Sequence, residues 1–167
     1  VRVHDRGLAW ADVSIRQSLA DHYLPIPSVE WKHSDVMLTT TAYGIGEPGN
    51  ARTEAVYTIR NPTKSRRQYT LALTVRPFQV NPPAQFLNTA GGVSPIHELA
   101  FDNGAVSVDK VPSVFPRTPP QSFRAASLTA DTPCEWLAAP EAPARITDES
   151  GFASGAMLYS LNLGPGE

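Results

Sequence analysis

The most constraining feature of the chain is a run of alternating apolar and polar side chains that leads directly into a proline-rich segment. Residues 69–76 read Tyr-Thr-Leu-Ala-Leu-Thr-Val-Arg, and residues 77–83 read Pro-Phe-Gln-Val-Asn-Pro-Pro. The alternation predicts a β-strand with one face in a core, because successive side chains of a strand point to opposite faces. Since Pro77 cannot donate to a β-ladder, the strand is expected to end there. The sequence therefore predicts a folded module built from sheets.

Proline and glycine are frequent along the whole chain, with 16 prolines and 11 glycines among 167 residues. This frequency favours short strands and many turns over long helices. Further strands are predicted at 28–32, 35–43, 54–60, 96–101, 105–108, 113–115 and 123–128. Regularly spaced short strands predict an all-β fold, an antiparallel β-sandwich with at most one or two short helices. The length fits one domain with a substantial core.

Three segments are predicted within this single domain. Residues 1–27 are a lead-in, residues 28–128 form the sandwich core, and residues 129–167 are a tail that wraps the surface. The tail contains a candidate last strand at 155–163, where the alternation returns. The chain begins with Val1 and ends with Glu167, without an initiator methionine or a signal peptide, and we expect it to be part of a larger multidomain protein.

Two local structures fit the lead-in segment equally well. Ser14 followed by Gln17 matches the capping box of a helix, in which Ile15, Leu19 and Tyr23 would share one face. A strand through residues 11–15 competes with this helix, and the sequence leaves both open.

Two glycine-containing segments are predicted to be turns or loops. Asp102-Asn103-Gly104 is a strong hairpin signal between two predicted strands. Residues 44–49 match the G-x-G-x-x-G pattern, which in a dinucleotide site must open a helix. Because Pro48 and a further predicted strand replace that helix, residues 44–50 are predicted to be a long flexible loop.

The charge and cysteine content exclude several classes of function. The formal net charge is −2, which gives no electrostatic basis for binding nucleic acid or an anionic membrane. Charged residues make up 18% of the chain, below the usual ~25%, as expected if part of the surface packs against another domain. Cys134 is the only cysteine, so neither an intrachain disulfide nor a thiolate cluster can form, and the compartment stays open.

No catalytic or metal-ligating residue is predicted. His97-Glu98 begins like a zinc-protease motif but lacks the second histidine one turn later. No serine stands in a G-x-S-x-G context, and the scattered carboxylates are better explained as solvated surface. No metal and no cofactor are therefore expected.

The three tryptophans are the first group of candidate binding residues. Surface tryptophans that stack on sugar rings are typical of carbohydrate-binding modules. Trp31 occupies a strand-like position and is better explained as core. For Trp10 and Trp136, packing in a core or a domain interface is favoured over a sugar platform.

The proline-clamped path over residues 76–83 is the second candidate. Prolines on both sides hold Phe78, Gln79, Val80 and Asn81 in a restrained extended path at a strand end. One interpretation is a rigid connector that covers a sheet edge. The other is a preformed loop that docks on a neighbouring domain, with Arg76, Gln79 and Asn81 supplying hydrogen bonds and Phe78 as a further candidate interface residue.

Several short segments together resemble a known family. They are Val29-Glu30-Trp31, residues 57–62 (Tyr-Thr-Ile-Arg-Asn-Pro), residues 74–83 and Gly91-Gly92. They resemble an accessory β-sandwich of large bacterial carbohydrate-active proteins similar to glycogen-debranching enzymes and glycoside phosphorylases, some labelled discoidin or coagulation factor 5/8 type domain proteins. The resemblance covers about residues 28–128 and implies a β-supersandwich that precedes an (α/α)6 barrel carrying the chemistry.

The expected function is therefore that of a supporting domain. The resemblance implies a non-catalytic β-sandwich that packs against the catalytic barrel of the same chain and shapes one side of its substrate cleft. An autonomous carbohydrate-binding module, with carbohydrate as its partner, is the alternative. A hydrolase is the third possibility, but it would need a pocket that gathers two carboxylates, or a histidine beside a serine.

Overall fold

The computed structural model describes residues 1–3, 6–79, 93–128 and 142–167, and these residues are almost entirely β. One short 3-10 helix, Trp10–Asp12, precedes the longer strands. The strands are β1 Arg2–Val3, β2 Arg6–Gly7, β3 Ser14–Ala20, β4 Leu24–Lys32, β5 Met37–Glu47, β6 Asn50–Arg60, β7 Arg67–Val75, β8 Phe78–Gln79, β9 Val93–Ser94, β10 Glu98–Asp102, β11 Ala105–Val108, β12 Val111–Val114, β13 Ser122–Ser127, β14 Arg145–Thr147 and β15 Ala153–Leu163. Three antiparallel sheets give a sandwich-like all-β fold, which confirms the predicted fold class.

The sheets have the strand orders β3–β4–β5–β6, β12–β11–β10–β14 and β13–β15–β7–β1–β2, and β8 pairs with β9. The chain divides into two compact units. Unit 1 comprises residues 1–70 and 161–167, and unit 2 comprises residues 71–160. The predicted division of one domain into lead-in, core and tail stays a prediction, as does membership of a larger protein.

The four-stranded sheet of unit 1 is an antiparallel meander whose register follows from a tight turn. β5 and β6 are joined by Pro48-Gly49, and Glu47 pairs with Asn50. In a two-residue hairpin the closing pair exchanges both backbone hydrogen bonds, and such pairs then alternate along each strand. By this alternation Leu38 and Thr40 of β5 direct their backbone groups toward β4, where they form backbone hydrogen bonds with Trp31 and Val29. Pro27 is next in that series and has no N–H, which explains why the β4–β5 pairing ends at Ser28.

The core of unit 1 is a small cluster of buried side chains. Val3, Leu8, Val36 and Tyr69 form it, and Ile59, Leu161 and Leu163 pack around it. Tyr69 is fully buried, and its hydroxyl donates to the backbone oxygen of Asp35 at 2.8 Å. Burial raises the pKa of Tyr69, since desolvation disfavours the phenolate.

A buried asparagine ties the end of the chain to the turn between β6 and β7. Asn61 is completely buried, and its amide nitrogen donates to the backbone oxygens of Ser65 at 2.8 Å, Leu163 at 3.0 Å and Gly164 at 2.9 Å. Its amide oxygen accepts from the N–H of Thr63 at 3.0 Å and from its hydroxyl at 2.8 Å. Every polar atom of this buried side chain is therefore satisfied, as buried amides require.

Unit 2 has its own core, in which aromatic and aliphatic side chains leave room for a glycine. Leu99 and Val106 are fully buried, and the rings of Phe101 and Phe123 stack with centroids 5.4 Å apart. Gly155 lies where a Cβ would come within 2.5 Å of the Phe123 ring and 2.7 Å of Leu99. Only glycine fits this position without displacing core atoms.

Several predicted elements are confirmed. β7 covers residues 67–75, with Tyr69 and Leu71 buried and Thr74 exposed, as the alternation predicts. The turn at Asn103-Gly104 joins β10 to β11, and both residues have the positive φ that such turns need. The predicted strand at 155–163 is β15, whereas residues 129–141 of the predicted tail lie outside the described part.

Other predictions are resolved or corrected. In the lead-in, the helix alternative is wrong, because β3 covers Ser14–Ala20. The strand predicted at 11–15 is correct only for Ser14 and Ile15, since the 3-10 helix occupies residues 10–12. The long loop predicted at 44–50 is wrong, since β5 continues through Gly44 and Gly46 to Glu47 and leaves only a two-residue turn. Pro25 and Pro27 lie inside β4, where they are tolerated because their missing N–H groups fall beyond the end of the β4–β5 ladder.

Candidate functional site: an apolar sheet face

One face of the four-stranded sheet in unit 1 is built from apolar side chains. Residues directly opposite each other in neighbouring strands share a face, and the pairing aligns Ile15, Trp31, Leu38 and Ile59 in one row across β3 to β6.

The next row on the same side contains Gln17, Val29, Thr40 and Tyr57. We call these two rows, with Leu19 beside them, the apolar face. Neither row contains a charged residue.

The apolar face is open at the β3 and β6 edges. Ile15 is 41% exposed, Leu19 44% and Tyr57 40%. Near the unit 1 core the same face is covered, since Leu38 is only 8% exposed. Exposed apolar side chains that share one face mark a binding surface more often than scattered ones do.

The opposite face of this sheet has a different chemistry. Arg16 and Glu30 lie opposite each other, and the hydroxyls of Ser28 and Thr41 hydrogen-bond at 2.7 Å. Val56, 48% exposed and opposite Thr41, is an apolar exception on this face. The sheet is thus amphipathic, as is usual when one face is covered and the other solvated.

Trp10 stands against the apolar face from the short helix before β3. Its ring lies 5.4 Å from that of Trp31 at an interplanar angle of 64°, an edge-to-face contact, and Trp10 is 64% exposed. The helix is held by the Asp12 carboxylate, which accepts from the backbone N–H of Ala9 at 2.9 Å. Trp31 is half-buried. The two tryptophans predicted from the sequence as packing residues therefore meet, and one of them presents its ring to solvent.

A shallow depression lies between β3 and β4. It has a volume of about 400 Å³, opens to solvent, and is lined by Gln17, Ser18, Leu19, Pro27, Ser28 and Val29. Pockets that hold small molecules usually enclose most of the ligand surface. This depression is suited to a surface contact rather than to an enclosed reaction.

The candidate residues of the proline-clamped path follow β7 in the sequence and belong to unit 2. Arg76 is exposed, and the neighbouring Pro77 is buried. Phe78 and Gln79 form β8, which pairs with β9 through Phe78 to Ser94 and Gln79 to Val93. The predicted path is therefore extended at its start.

Two further candidates, Asn81 and Trp136, lie outside the described residues. Their predicted roles, like those of Arg76, Phe78 and Gln79, stay predictions.

The polar side chains around His97 and Glu98 hold the backbone at the start of β10. The Asp109 carboxylate accepts from the backbone N–H groups of His97 and Glu98, each at 2.8 Å. The hydrogen bond from the Glu98 N–H contributes most to the lowered pKa of Asp109. Glu98 forms an ion pair with Arg145. These contacts hold the start of β10.

Ser127, Asp148 and His97 lie close together without forming a catalytic relay. The Ser127 hydroxyl donates directly to the Asp148 carboxylate, and this hydrogen bond is the main cause of the lowered pKa of Asp148. The Nδ1 atom of His97 lies 3.3 Å from the backbone oxygen of Asp148, not from its carboxylate. A relay needs the histidine between the serine and the acid. The Asp148 carboxylate instead caps a turn by accepting from the Ser150 N–H at 2.9 Å.

Metal binding and membrane insertion by a helix are two further functions on which the described residues give evidence. No group of three or more His, Cys, Asp and Glu side chains in 1–3, 6–79, 93–128 and 142–167 has an arrangement that could hold a metal ion. Within the same residues, no helix has the length and apolar character needed to cross a bilayer.

Comparisons of the chain with protein-family models, with curated proteins and with solved structures found no match. The functional argument therefore depends on the residues of the apolar face. Sequence reasoning missed Ile15, Leu19 and Tyr57 as a joint surface. The alternation of Ile15, Gln17 and Leu19 was a usable signal, but the register that aligns β3 with β4 to β6 is a property of the folded sheet.

Proposed function

We propose that this chain is a non-catalytic β-domain of a multidomain bacterial carbohydrate-active protein, and that its apolar face packs against a neighbouring catalytic domain with an (α/α)6 barrel. In this role it shapes one side of the substrate cleft. The observation that supports the proposal is the apolar face, where Ile15, Leu19 and Tyr57 are each about two-fifths exposed.

The chemistry of the apolar face suits a protein partner. Its two rows contain aliphatic and aromatic side chains and no charge, which matches the depletion of charged residues in interface cores. Complete burial of a large apolar side chain contributes about 1.5–3 kcal/mol. Ile15, Leu19 and Tyr57 have already lost more than half of their accessible surface, so covering the rest would contribute about 1 kcal/mol each.

The bacterial, carbohydrate-active context of the proposal comes from the family resemblance of residues 28–128. The proline-clamped path that follows β7 motivates a second contact, through Arg76, Phe78, Gln79 and Asn81. The exposed side chain of Arg76 is compatible with such a contact.

The proposal is tested by deleting residues 1–167 from the longer protein. Removal of a packed domain should lower both the melting temperature of the catalytic domain and its turnover of glycan, and the isolated 167-residue chain should cleave no glycan. Unchanged stability and unchanged turnover after the deletion would rule out the supporting role.

An autonomous carbohydrate-binding module is the second candidate, and one observation favours it. Trp10 presents a ring that is 64% exposed and is held edge-to-face against Trp31. Aromatic faces of this kind stack on sugar rings. Calorimetric titration of the isolated chain with soluble glycans tests this candidate. Binding that is lost in Trp10→Ala but kept in Phe115→Ala, which removes an exposed aromatic from unit 2, would favour the module over the supporting domain.

A further inference from the structure

β3 is an edge strand, and the register shows which of its backbone groups face outward. By the alternation that starts at the β5–β6 turn, Ser14, Arg16 and Ser18 exchange hydrogen bonds with β4. The intervening residues Ile15 and Gln17 therefore direct their N–H and C=O groups away from β4.

Leu19 continues this series at the outer edge of β3. Its N–H points outward, and its carbonyl accepts from the His22 N–H at 3.1 Å in the following turn. Within the described part of the chain, no strand pairs with this edge. An unpaired row of donors and acceptors of this kind can accept another strand.

The edge lacks the features that usually protect such strands. β3 has no proline and no lysine, and Arg16 is its only charged residue. The other edge of the sheet, β6, contains Arg52, Glu54 and Arg60. In unit 2, the edge strand β12 contains Pro112, and β14 has only three residues. Charges, prolines and short length are the common devices against edge pairing.

We infer that β3 pairs with β3 of a second copy of this chain, antiparallel and centred on Gln17. In this register each Gln17 exchanges two backbone hydrogen bonds with Gln17 of the second copy, and the N–H of Leu19 donates to the carbonyl of Ile15 in the second copy. The outward-facing backbone groups of the two β3 strands match in this register, because Ile15 and Leu19 lie at equal distances on either side of Gln17.

The side chains support the same register. On the apolar face, Ile15 lies opposite Leu19 of the second copy, which gives two apolar cross-strand pairs. On the other face, Arg16 lies opposite Ser18, so like charges do not meet. The row that includes Trp31 and Leu38 thus continues across the two-fold axis, and two four-stranded sheets become one eight-stranded sheet.

A charge-swap experiment on the intact 167-residue chain tests the pairing. Sedimentation equilibrium should show a reversible dimer at protein concentrations up to about 100 μM, because an interface of one strand pair lies at the small, weak end of the range. Gln17→Lys and Gln17→Glu place like charges opposite each other at the axis, and each should raise the dissociation constant at least about tenfold. An equimolar mixture of the two variants should recover the dimer.

Gln17 is exposed, so both variants are expected to fold, and Thr58→Lys on β6 is the matched control that should dimerise like the unmodified chain. Gln17→Pro is an independent check, since it removes an N–H that points away from β4. It should abolish the dimer while the circular dichroism spectrum is retained. A chain that stays monomeric throughout, charge variants that dimerise normally, or a mixture that fails to recover the dimer would each overturn the inference.

Discussion

Replacing Asn61 by alanine tests whether the buried amide stabilises unit 1. The substitution removes five hydrogen bonds, three donated by the amide nitrogen and two accepted by the amide oxygen. Two of the acceptors keep another donor: the Ser65 carbonyl retains the Thr63 hydroxyl at 2.9 Å, and the Gly164 carbonyl retains the Glu167 N–H at 3.2 Å. The Thr63 hydroxyl likewise keeps the Ser65 carbonyl as its acceptor. Only the Leu163 carbonyl and the Thr63 N–H therefore lose a hydrogen bond without replacement.

At about 1 kcal/mol for each of these two bonds, Asn61→Ala should lower the free energy of unfolding by about 2 kcal/mol. For a chain of this size the melting temperature should fall by about 4–8 °C. The variant should still fold, because the backbone bonds between Asn61 and the last residues remain, from the Asn61 N–H to the Glu167 oxygen at 2.7 Å and from the Gly166 N–H to the Asn61 oxygen at 2.9 Å.

Urea unfolding followed by circular dichroism measures the change, with Asn162→Ala as the matched control. Asn162 is exposed, and its backbone oxygen, which the substitution keeps, accepts a hydrogen bond from Arg66 at 3.4 Å. Asn61→Asp is a second probe: it keeps the acceptor for Thr63 but turns a carboxylate toward backbone carbonyls, and it should destabilise at least as much as alanine. A loss below about 0.5 kcal/mol for Asn61→Ala, the level of an ordinary surface substitution, would refute this reasoning.

Three further predictions concern single groups. Tyr69→Phe should lower the free energy of unfolding in urea by about 1 kcal/mol, because the hydrogen bond of the Tyr69 hydroxyl is lost. An unchanged urea midpoint would show that this hydrogen bond does not stabilise the fold. Gly155→Ala should cost about 1–3 kcal/mol by overpacking the unit 2 core, whereas Gly44→Ala, whose Cβ meets nothing within 4 Å, should not overpack. Because the pKa of Asp148 is lowered in the folded chain, its carboxylate adds to the free energy of unfolding above the pKa it has when unfolded. This contribution is lost as the pH falls through the pKa of Asp148 in the folded chain. Ser127→Ala should raise that pKa toward its ordinary range in a carboxyl NMR titration, and an unchanged titration would show that the hydroxyl is not the cause.

Strands with a strong local signal were predictable from the sequence. The alternation at residues 69–76 requires one face to be buried, and Tyr69 and Leu71 are buried on that face of β7. The hairpin between β10 and β11 was also predictable, since Asn103-Gly104 supplies the two positive φ angles of the turn.

Features that depend on pairing between strands were not predictable in this way. Glycines at 44 and 46 favour a loop locally, but their pairing with Thr53 and Ala51 of β6 extends β5 through them. The lead-in fits a helix and a strand equally by local pattern, and pairing with β4 decides for β3. The apolar face has the same origin, because Ile15 and Tyr57 are 42 positions apart in the chain and come to one face only through the register of four strands.

The most direct test of the account uses differential scanning calorimetry on the multidomain protein that we propose, and it compares two neighbouring positions of β6. Tyr57 lies on the apolar face, and Thr58, also exposed, lies on the opposite face. If the apolar face packs against a catalytic domain, Tyr57→Arg should lower the melting temperature of that domain and Thr58→Arg should leave it unchanged. Equal melting temperatures for both variants and the unmodified protein would contradict the proposed role of the apolar face.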